Sequence, residues 1–539
     1  MIRDQLCLAV AAALRAIDVD PPSIVPLERP ARREHGDWSS TVSLAVAKTA
    51  GRNPRQLGQQ LVEILSKDLP EHVDRVELAG PGFVNFHLAP TWLHDVLRTV
   101  LHEGTAQYAR PNLGNAKSVL VEFVSANPTG PLHAGHGRNA AYGDALSRVL
   151  ERCNWVVTRE YYLNDRGVQM QMFAASLAAR KAGVDVPENG YRGQYIIDWA
   201  AEMPDDADPL EWGRARAIAS HEQTLIAMGI HFDSWFSERS LLESGAIEQT
   251  LADLATCDMT YQADGALWLR STAFGDDKDR VLVRSDTGDY TYLTPDIAYH
   301  RDKFARGHDR VIDVWGADHH GYVQRLRAAL AGLGHDTEQF TVCVTQLVQL
   351  LRNGVEVRLS KRTGDIVELA DVLDEVGADA ARLTYLLGSV DTRQTFDLAL
   401  AVSQKNENPV FYVQYANARI RSLQREAEKA GFDVKAIVED LGNLDASPLT
   451  QERELELLRN LSELPEIVEV AGRELAPHKV TTWVRELAGS FHGFYHDCRV
   501  MGDGIDEPTT KARLALIEAS RVGLGIGLDL LGVSAPESM

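Results

Sequence analysis

The chain has 539 residues, more than one hydrophobic core usually organises, so three or four domains are expected. Apolar residues make up 45% and charged ones 24%, which excludes a disordered or fibrous protein; no apolar run approaches the roughly 18 residues that would span a bilayer. The net charge of −22 excludes a general nucleic-acid binder, whose field must attract phosphate. It still permits a selective RNA enzyme with local basic clusters, such as Arg29, Arg32 and Arg33, or Arg419, Arg421 and Arg425.

Leu6 to Leu14 is apolar, but Asp4 and Arg15 flank it closely, so it reads as the buried face of a first helix and not as a targeting signal. Val76 to Leu88, broken by Gly80-Pro81-Gly82, reads as a turn and an alternating strand closing a mixed α+β N-terminal domain. That domain is set at 1–112. After the linker Pro111 to Gly114, Ser118 to Val124 predicts a strand and Arg138 to Arg152 a helix, the opening of a doubly wound α/β sheet. Segment 171–285 reads as a polar, mostly helical insertion between the halves of that sheet. Strands at Val311 to Trp315 and Phe340 to Thr345, around a helix from Tyr322 to Leu333, complete a parallel-sheet domain at 113–405. Residues 406–539 predict an all-α bundle, in which Asn408 as cap, Pro409 at the first helical position and Gly431 beyond the end bracket one long helix. The five cysteines, scattered and without a Cys-x-x-Cys pair, imply free thiols and a cytoplasmic setting.

Asn127 to Gly137 follows the first sheet strand and leads into a helix, the place where open α/β sheets bind ligands. His133 and His136, three apart, can offer ring N–H groups to a phosphate at the helix terminus, and Gly135 between them lets a nucleotide lie against the backbone. A second loop, Arg358 to Gly364, is short and basic, and a mobile Lys361 there can meet charge on departing pyrophosphate. A third, Gly316 to Gly321, again follows a strand: Gly316 allows close approach, and Asp318, beside His319, can accept from ribose hydroxyls. Asp318-His319-His320 could instead suggest a metal, but no other ligand cluster or paired cysteine supports one.

The His133 to His136 and Arg358 to Arg362 loops together resemble the two signature sequences of class I aminoacyl-tRNA synthetases. The second is usually Lys-Met-Ser-Lys-Ser; here Arg358, Leu359 and Arg362 depart from it, while Ser360 and Lys361 remain. Val121 to Pro131, Tyr161 to Asp165, Phe232 to Ser240, Asn408 to Ala416 and the closing Ala535 to Met539 are similar to the arginyl enzymes specifically, so the likeness runs nearly end to end. It implies a Rossmann-type catalytic domain, an N-terminal domain touching the tRNA elbow through Phe83 and Asn85, and an anticodon-binding helical domain in which Tyr412 and Arg419 are candidate tRNA contacts. It also implies ATP contacts at Gly135, Gly316, Asp318, His319 and Ser360.

For the amino acid, the resemblance implies guanidinium contacts at Asp296 and Tyr292, further acids at Glu122 and Glu238, and Asn127 and Gln324 at the α-amino end. A planar, permanently charged guanidinium calls for such carboxylates; the rival view of Asp296, an acid favoured at a capped helix start, is compatible with that role. A pocket of this kind rejects lysine by leaving acceptors unpaired, on the order of 10⁴-fold without editing, so no editing domain is expected. The implied partners are L-arginine, ATP with Mg²⁺ and the cognate tRNA, with His133, His136 and Lys361 catalytic, no zinc or organic cofactor, no membrane, a monomeric enzyme, and activation that waits for tRNA. The alternatives are another adenylating ligase with a His-x-Gly-His loop and a non-catalytic tRNA-binding relative.

Overall fold

The computed structural model describes residues 2–30, 32–357 and 367–539, the side chains of 318–320 excepted. The chain divides into two compact units: Met1–Gly104 with Gln424–Ser462 and Ser490–Ser520, and Thr105–Leu423 with Glu463–Gly489 and Arg521–Met539. The helices expected to form one bundle at 406–539 are therefore shared between the two.

In the first unit, β1 (Leu27–Glu28), β2 (Trp38–Ser40), β3 (Val73–Ala79) and β4 (Phe83–Leu88) form an antiparallel sheet in the order β1-β2-β4-β3. The Ile2–Arg15 helix buries Leu6, Val10, Ala13 and Leu14, the face its apolar run predicts. The basic cluster expected here is largely engaged within the unit: Arg29 lies over the Trp38 ring and donates to Ser462, and Arg33 pairs with Glu452.

The second unit is built on β5 (Ser118–Glu122), β6 (Val156–Leu163) and β7 (Ser234–Ser237), a small antiparallel sheet of β8 (Thr260–Ala263), β9 (Ala266–Leu269) and β10 (Arg280–Val283), and then β11 (Arg310–Gly316) and β12 (Phe340–Thr345). The main sheet runs β12-β11-β5-β6-β7, and every neighbour is parallel. The doubly wound expectation holds, but the insertion at 171–285 needs correcting. Ser234–Ser237 returns from it to the main sheet as an edge strand, and its second half holds the three-stranded sheet. β7 and β8 are short, half-buried and mixed in polarity, without the apolar run that marks a central strand. Beyond β12, the strands β13 (Val348–Arg352), β14 (Val355–Glu356) and β15 (Gln394–Asp397) form a further sheet.

Leu120, Ile297, Val311, Leu326 and Phe340 form the core between the main sheet and its covering helices, each such side chain contributing roughly 1.5–3 kcal/mol by leaving water. The Ala134–Arg152 helix lies close on β5 because Gly143 has no side chain: a Cβ there would stand 2.2 Å from the Phe123 ring. This helix fixes the loop before it, where the site is built. The Pro409–Lys429 helix starts as predicted, with Asn408 Oδ1 accepting from Val410 N–H and Gly431 at φ +90° beyond its end.

Candidate active site

The chain leaves β5 through a strained turn. Val124 and Ser125 have φ of +68° and +43°, a region costly for a β-branched residue. Fixed partners over-determine it: Asn139 Oδ1 accepts from Val124 N–H at 2.6 Å, Ser125 Oγ donates to Glu122 at 2.7 Å, and the Tyr161 hydroxyl accepts from Ala126 N–H at 3.1 Å. Tyr161 in turn meets His221 at 2.9 Å, and His221 reaches the Gly130 carbonyl at 2.7 Å. The loop that carries Asn127 and runs up to His133 is thus held from the sheet and from the Pro209–Ala227 helix.

His133 caps the Ala134–Arg152 helix, and its ring stacks on that of His136 with centroids 3.6 Å apart. His133 N–H donates to His136 Nδ1 at 3.1 Å, so neutral His136 carries its proton on Nε2. The backbone on either side is laced to the segment that follows the second basic loop: Ala134 N–H donates to Val367 O at 2.9 Å and Leu369 N–H to Leu132 O at 2.8 Å. The base of the His133 to His136 loop is therefore bonded to Val367 and Leu369, which follow the second loop. Ser360 and Lys361 themselves lie outside the described residues.

Below this edge, Asp313 of β11, Glu122 of β5 and Glu160 of β6 are in register on adjacent strands. Like charges placed side by side in a sheet repel. The Leu293–Ala305 helix and the residue after it neutralise them. Fully buried Lys303 pairs with Glu122 and lies 2.7 Å from Asp313; Arg306 binds Glu160 with two bonds of 2.6 and 2.8 Å, and His300 reaches Asp313 at 2.7 Å. Burial alone would depress the Lys303 ammonium, but Asp313, Glu122 and Glu160 outweigh it and hold its pKa above the ordinary value. Glu122, His300 and Asp313 could in geometry surround a metal ion, but Lys303 already supplies the cation there.

Nearer the end of the sheet the balance differs. Glu238, the first residue after β7, is 6% exposed, and burial, with the nearby Asp296 and Asp165 charges opposing Arg166, pushes its carboxyl up to about 7. Arg166 touches it through one long contact of 3.3 Å. Asp296, in the first turn of the Leu293–Ala305 helix, accepts from the Tyr322 hydroxyl. The Tyr162 hydroxyl is buried close to Glu238 and makes no well-formed hydrogen bond among the described residues. Stacked Tyr162 and Tyr299, centroids 4.4 Å apart, with Phe236 against Tyr299, pack buried aromatic carbon beside Glu238. One buried carboxylate, one half-buried carboxylate and neighbouring aromatic rings are groups with which a planar cation can pair.

Other predicted positions are placed as follows. Tyr292 is exposed at the start of the Asp296 helix. Gln324 is exposed, and its amide lies against Gly275, where a Cβ would stand 3.2 Å from it. Asn127 is exposed and donates to Gln169 at 2.8 Å. Gly135 is exposed below the His133 ring, and Gly316 ends β11, followed by a short helical turn over Ala317–Tyr322 that includes Asp318 and His319. In the first unit Phe83 is half-buried at the start of β4, while Asn85 is buried within it and accepts from Ser39 Oγ at 2.7 Å. Tyr412 and Arg419 are half-buried on the long helix, Arg419 over the Tyr415 ring. Sequence reasoning missed Lys303, Arg306, Tyr322, Tyr162 as a polar group, and Arg166. Asp296, His300 and Lys303 recur at i, i+4 and i+7, a polar stripe that could have revealed Lys303.

Three family models match: the arginyl tRNA synthetase N terminal domain over residues 4–88, the catalytic domain of class I (R) tRNA synthetases over 96–188 and 216–386, and the DALR anticodon binding domain over 413–539. The chain is 43% identical to an arginine–tRNA ligase of Halalkalibacterium halodurans across 100% of its own length and 98% of that protein. It is 44% identical, with the same coverage, to that of Oceanobacillus iheyensis. Among solved structures it resembles arginyl-tRNA synthetase of Thermus thermophilus, with a TM-score of 0.77, 24% identity and full coverage of both chains. A putative arginyl-tRNA synthetase of Campylobacter jejuni matches with a TM-score of 0.76 and 32% identity over 84% of this chain and 100% of the other.

Proposed function

The chain belongs to the class I arginyl-tRNA synthetases, and on that premise we propose how its residues activate arginine with ATP and pass it to tRNA. The substrate guanidinium enters between Glu238 and Asp296 against the Tyr162 and Tyr299 wall, with Tyr292 covering it from the exposed side. Asn127 and Gln324 take the α-amino end. Glu122, whose oxygens are held by Ser125 and Lys303, supports the Asn127 loop from beneath as a positioning residue. The arginine carboxylate attacks the α-phosphorus of ATP, the bond to pyrophosphate breaks, and arginyl-adenylate forms. The terminal 2′-hydroxyl of tRNA then attacks the arginyl carbonyl and AMP leaves.

His133 and His136 donate to phosphate oxygens at the helix terminus, Gly135 leaves room for the nucleotide, and Lys361 meets the charge on pyrophosphate. Gly316, Asp318, His319 and Ser360 contact ATP, which brings Mg²⁺ as part of the substrate. No protein nucleophile is required: the rate comes from alignment and charge stabilisation. Phe83 faces the tRNA elbow, with buried Asn85, bonded to Ser39, holding the strand that carries it, and Tyr412 and Arg419 face the anticodon arm. No helix among the described residues is long and apolar enough to cross a membrane, and we place the enzyme in the cytoplasm as a monomer.

The observation that carries this assignment is the pair of carboxylates, buried Glu238 and half-buried Asp296, at the carboxyl edge of the sheet. Asp296→Asn should raise the arginine KM by about 10²–10³-fold, the cost of removing one side of a hydrogen-bonded, partly buried charge pair, with the ATP KM near that of the parent. ATP–pyrophosphate exchange with cognate tRNA present measures both. An unchanged arginine KM would overturn the pocket assignment.

A further inference from the structure

Arg166 stands between two fixed points. Before it, Asp165 is pinned by Arg214 and Ser237 Oγ, each at 2.7 Å, and by Arg239 N–H at 3.3 Å. After it comes Gly167 at φ +83°, a conformation glycine adopts without strain. The Arg166 side chain, 29% exposed, reaches inward to a carboxylate that is itself almost wholly buried.

Its bond differs from those of the structural arginines of this unit. Arg306 grips Glu160 with two short parallel bonds, and buried Arg382 binds Asp144 and the carbonyls of Met228 and Leu531. Arg166 makes one contact, at 3.3 Å, to one oxygen of Glu238. A partly exposed, single-pronged ion pair is weak and readily exchanged, whereas an arginine that locks a fold uses its planar fork. Its position is also telling, because Glu238 is the carboxylate assigned above to the substrate guanidinium. The group seated there in the free protein has the chemistry of the substrate side chain.

We propose that Arg166 is a resident stand-in for substrate: in the free enzyme its guanidinium occupies Glu238, and incoming arginine displaces it. The proposal rests on the assignment of Glu238 to the arginine pocket. Occupancy by Arg166 keeps a buried carboxylate from standing alone, and it lowers apparent arginine affinity by the fraction of time the pocket is filled. Arg166 also favours ionised Glu238, whereas Asp296 and Asp165 favour protonation and Tyr162 lies beside it. Removing Arg166 therefore has two effects of opposite sign, and pH separates them.

The test is the arginine KM of Arg166→Ala in pyrophosphate exchange with tRNA across pH 6 to 9, with Glu238→Gln in parallel and thermal melts to confirm folding. At pH 8.5, where Glu238 is ionised in either protein, the KM of Arg166→Ala should fall about 3- to 10-fold. At pH 6.5 the gain should vanish, because the inflection of the KM profile moves to higher pH without the Arg166 charge. A KM at pH 8.5 that rises or stays level overturns the proposal, since a side chain that only orients Glu238 gives that result. If Glu238→Gln leaves the arginine KM unchanged at all pH values, the pocket assignment fails and the stand-in role fails with it. If Glu238→Gln weakens arginine while Arg166→Ala does not improve it, the pocket stands and the displacement alone is refuted.

Discussion

Asp313, Glu122 and Glu160 lie abreast on three strands and are closed over by Lys303, Arg306 and His300. Glu238, at the edge of the same sheet, meets one long arginine contact. The acids of the row and Glu238 are all buried, so burial alone does not distinguish structure from function. The difference is completeness. A buried acid with a full set of internal donors gains nothing from a ligand, whereas one whose pKa is raised for want of a counter-charge has binding energy to give to an incoming cation.

Removing the internal cation should break the closed row. Lys303→Met leaves Glu122 and Asp313 buried without it, at a cost of about 3–5 kcal/mol, read as a lowered midpoint in urea unfolding at pH 7.5. Adding Glu122→Gln should recover part of the loss. If Lys303→Met is as stable as the parent, the row is not the closed structural element it is taken to be.

The contrast between the two groups was only partly legible in the sequence. Strand, loop and helix around His133 follow from local periodicity and from Gly135, and the structure has them. Strand β7 escaped because Ser234-Trp235-Phe236-Ser237 is too short and too polar to announce a sheet strand; its place comes from pairing with β6, over 70 residues earlier. Glu122 drew attention as an acid near the nucleotide loop, yet its partner Lys303 is 181 residues away, and Arg166 and Glu238 are 72 apart. Which acid is closed and which is open depends on those long-range pairings, and one sequence does not contain them.

Titration should separate the groups next. Glu238, raised to about 7 from an ordinary carboxyl value near 4.5, is protonated in the free pocket below neutrality, and a guanidinium binds its ionised form. Arginine affinity should therefore rise with pH by up to about tenfold per unit below pH 7 and level off above it, and Glu238→Gln should flatten the profile. The stability of the free protein should move the opposite way. The folded state holds the Glu238 proton between pH 4.5 and 7 while the unfolded state has released it, so this residue's contribution to stability falls as pH rises through that window. Isothermal titration of arginine with tRNA present, and melts from pH 5 to 8, check both signs. A flat arginine profile in the parent would place Glu238 with the closed row.

The smallest effect belongs to the Tyr162 hydroxyl, buried beside Glu238 without a well-formed bond. In a structural role, an idle buried hydroxyl costs desolvation and its loss is neutral or stabilising. In a pocket role, the hydroxyl finds its partner when substrate orders Glu238, and its loss is felt only then. Tyr162→Phe should thus melt at or slightly above the parent temperature while raising the arginine KM about 3- to 5-fold, the worth of one net hydrogen bond. Because the ring keeps its stack on Tyr299, the aromatic wall is preserved and the two measurements isolate the oxygen. A lowered melting temperature with an unchanged KM would show that Tyr162 belongs to the packing of the sheet, and that the open site is Glu238 without it.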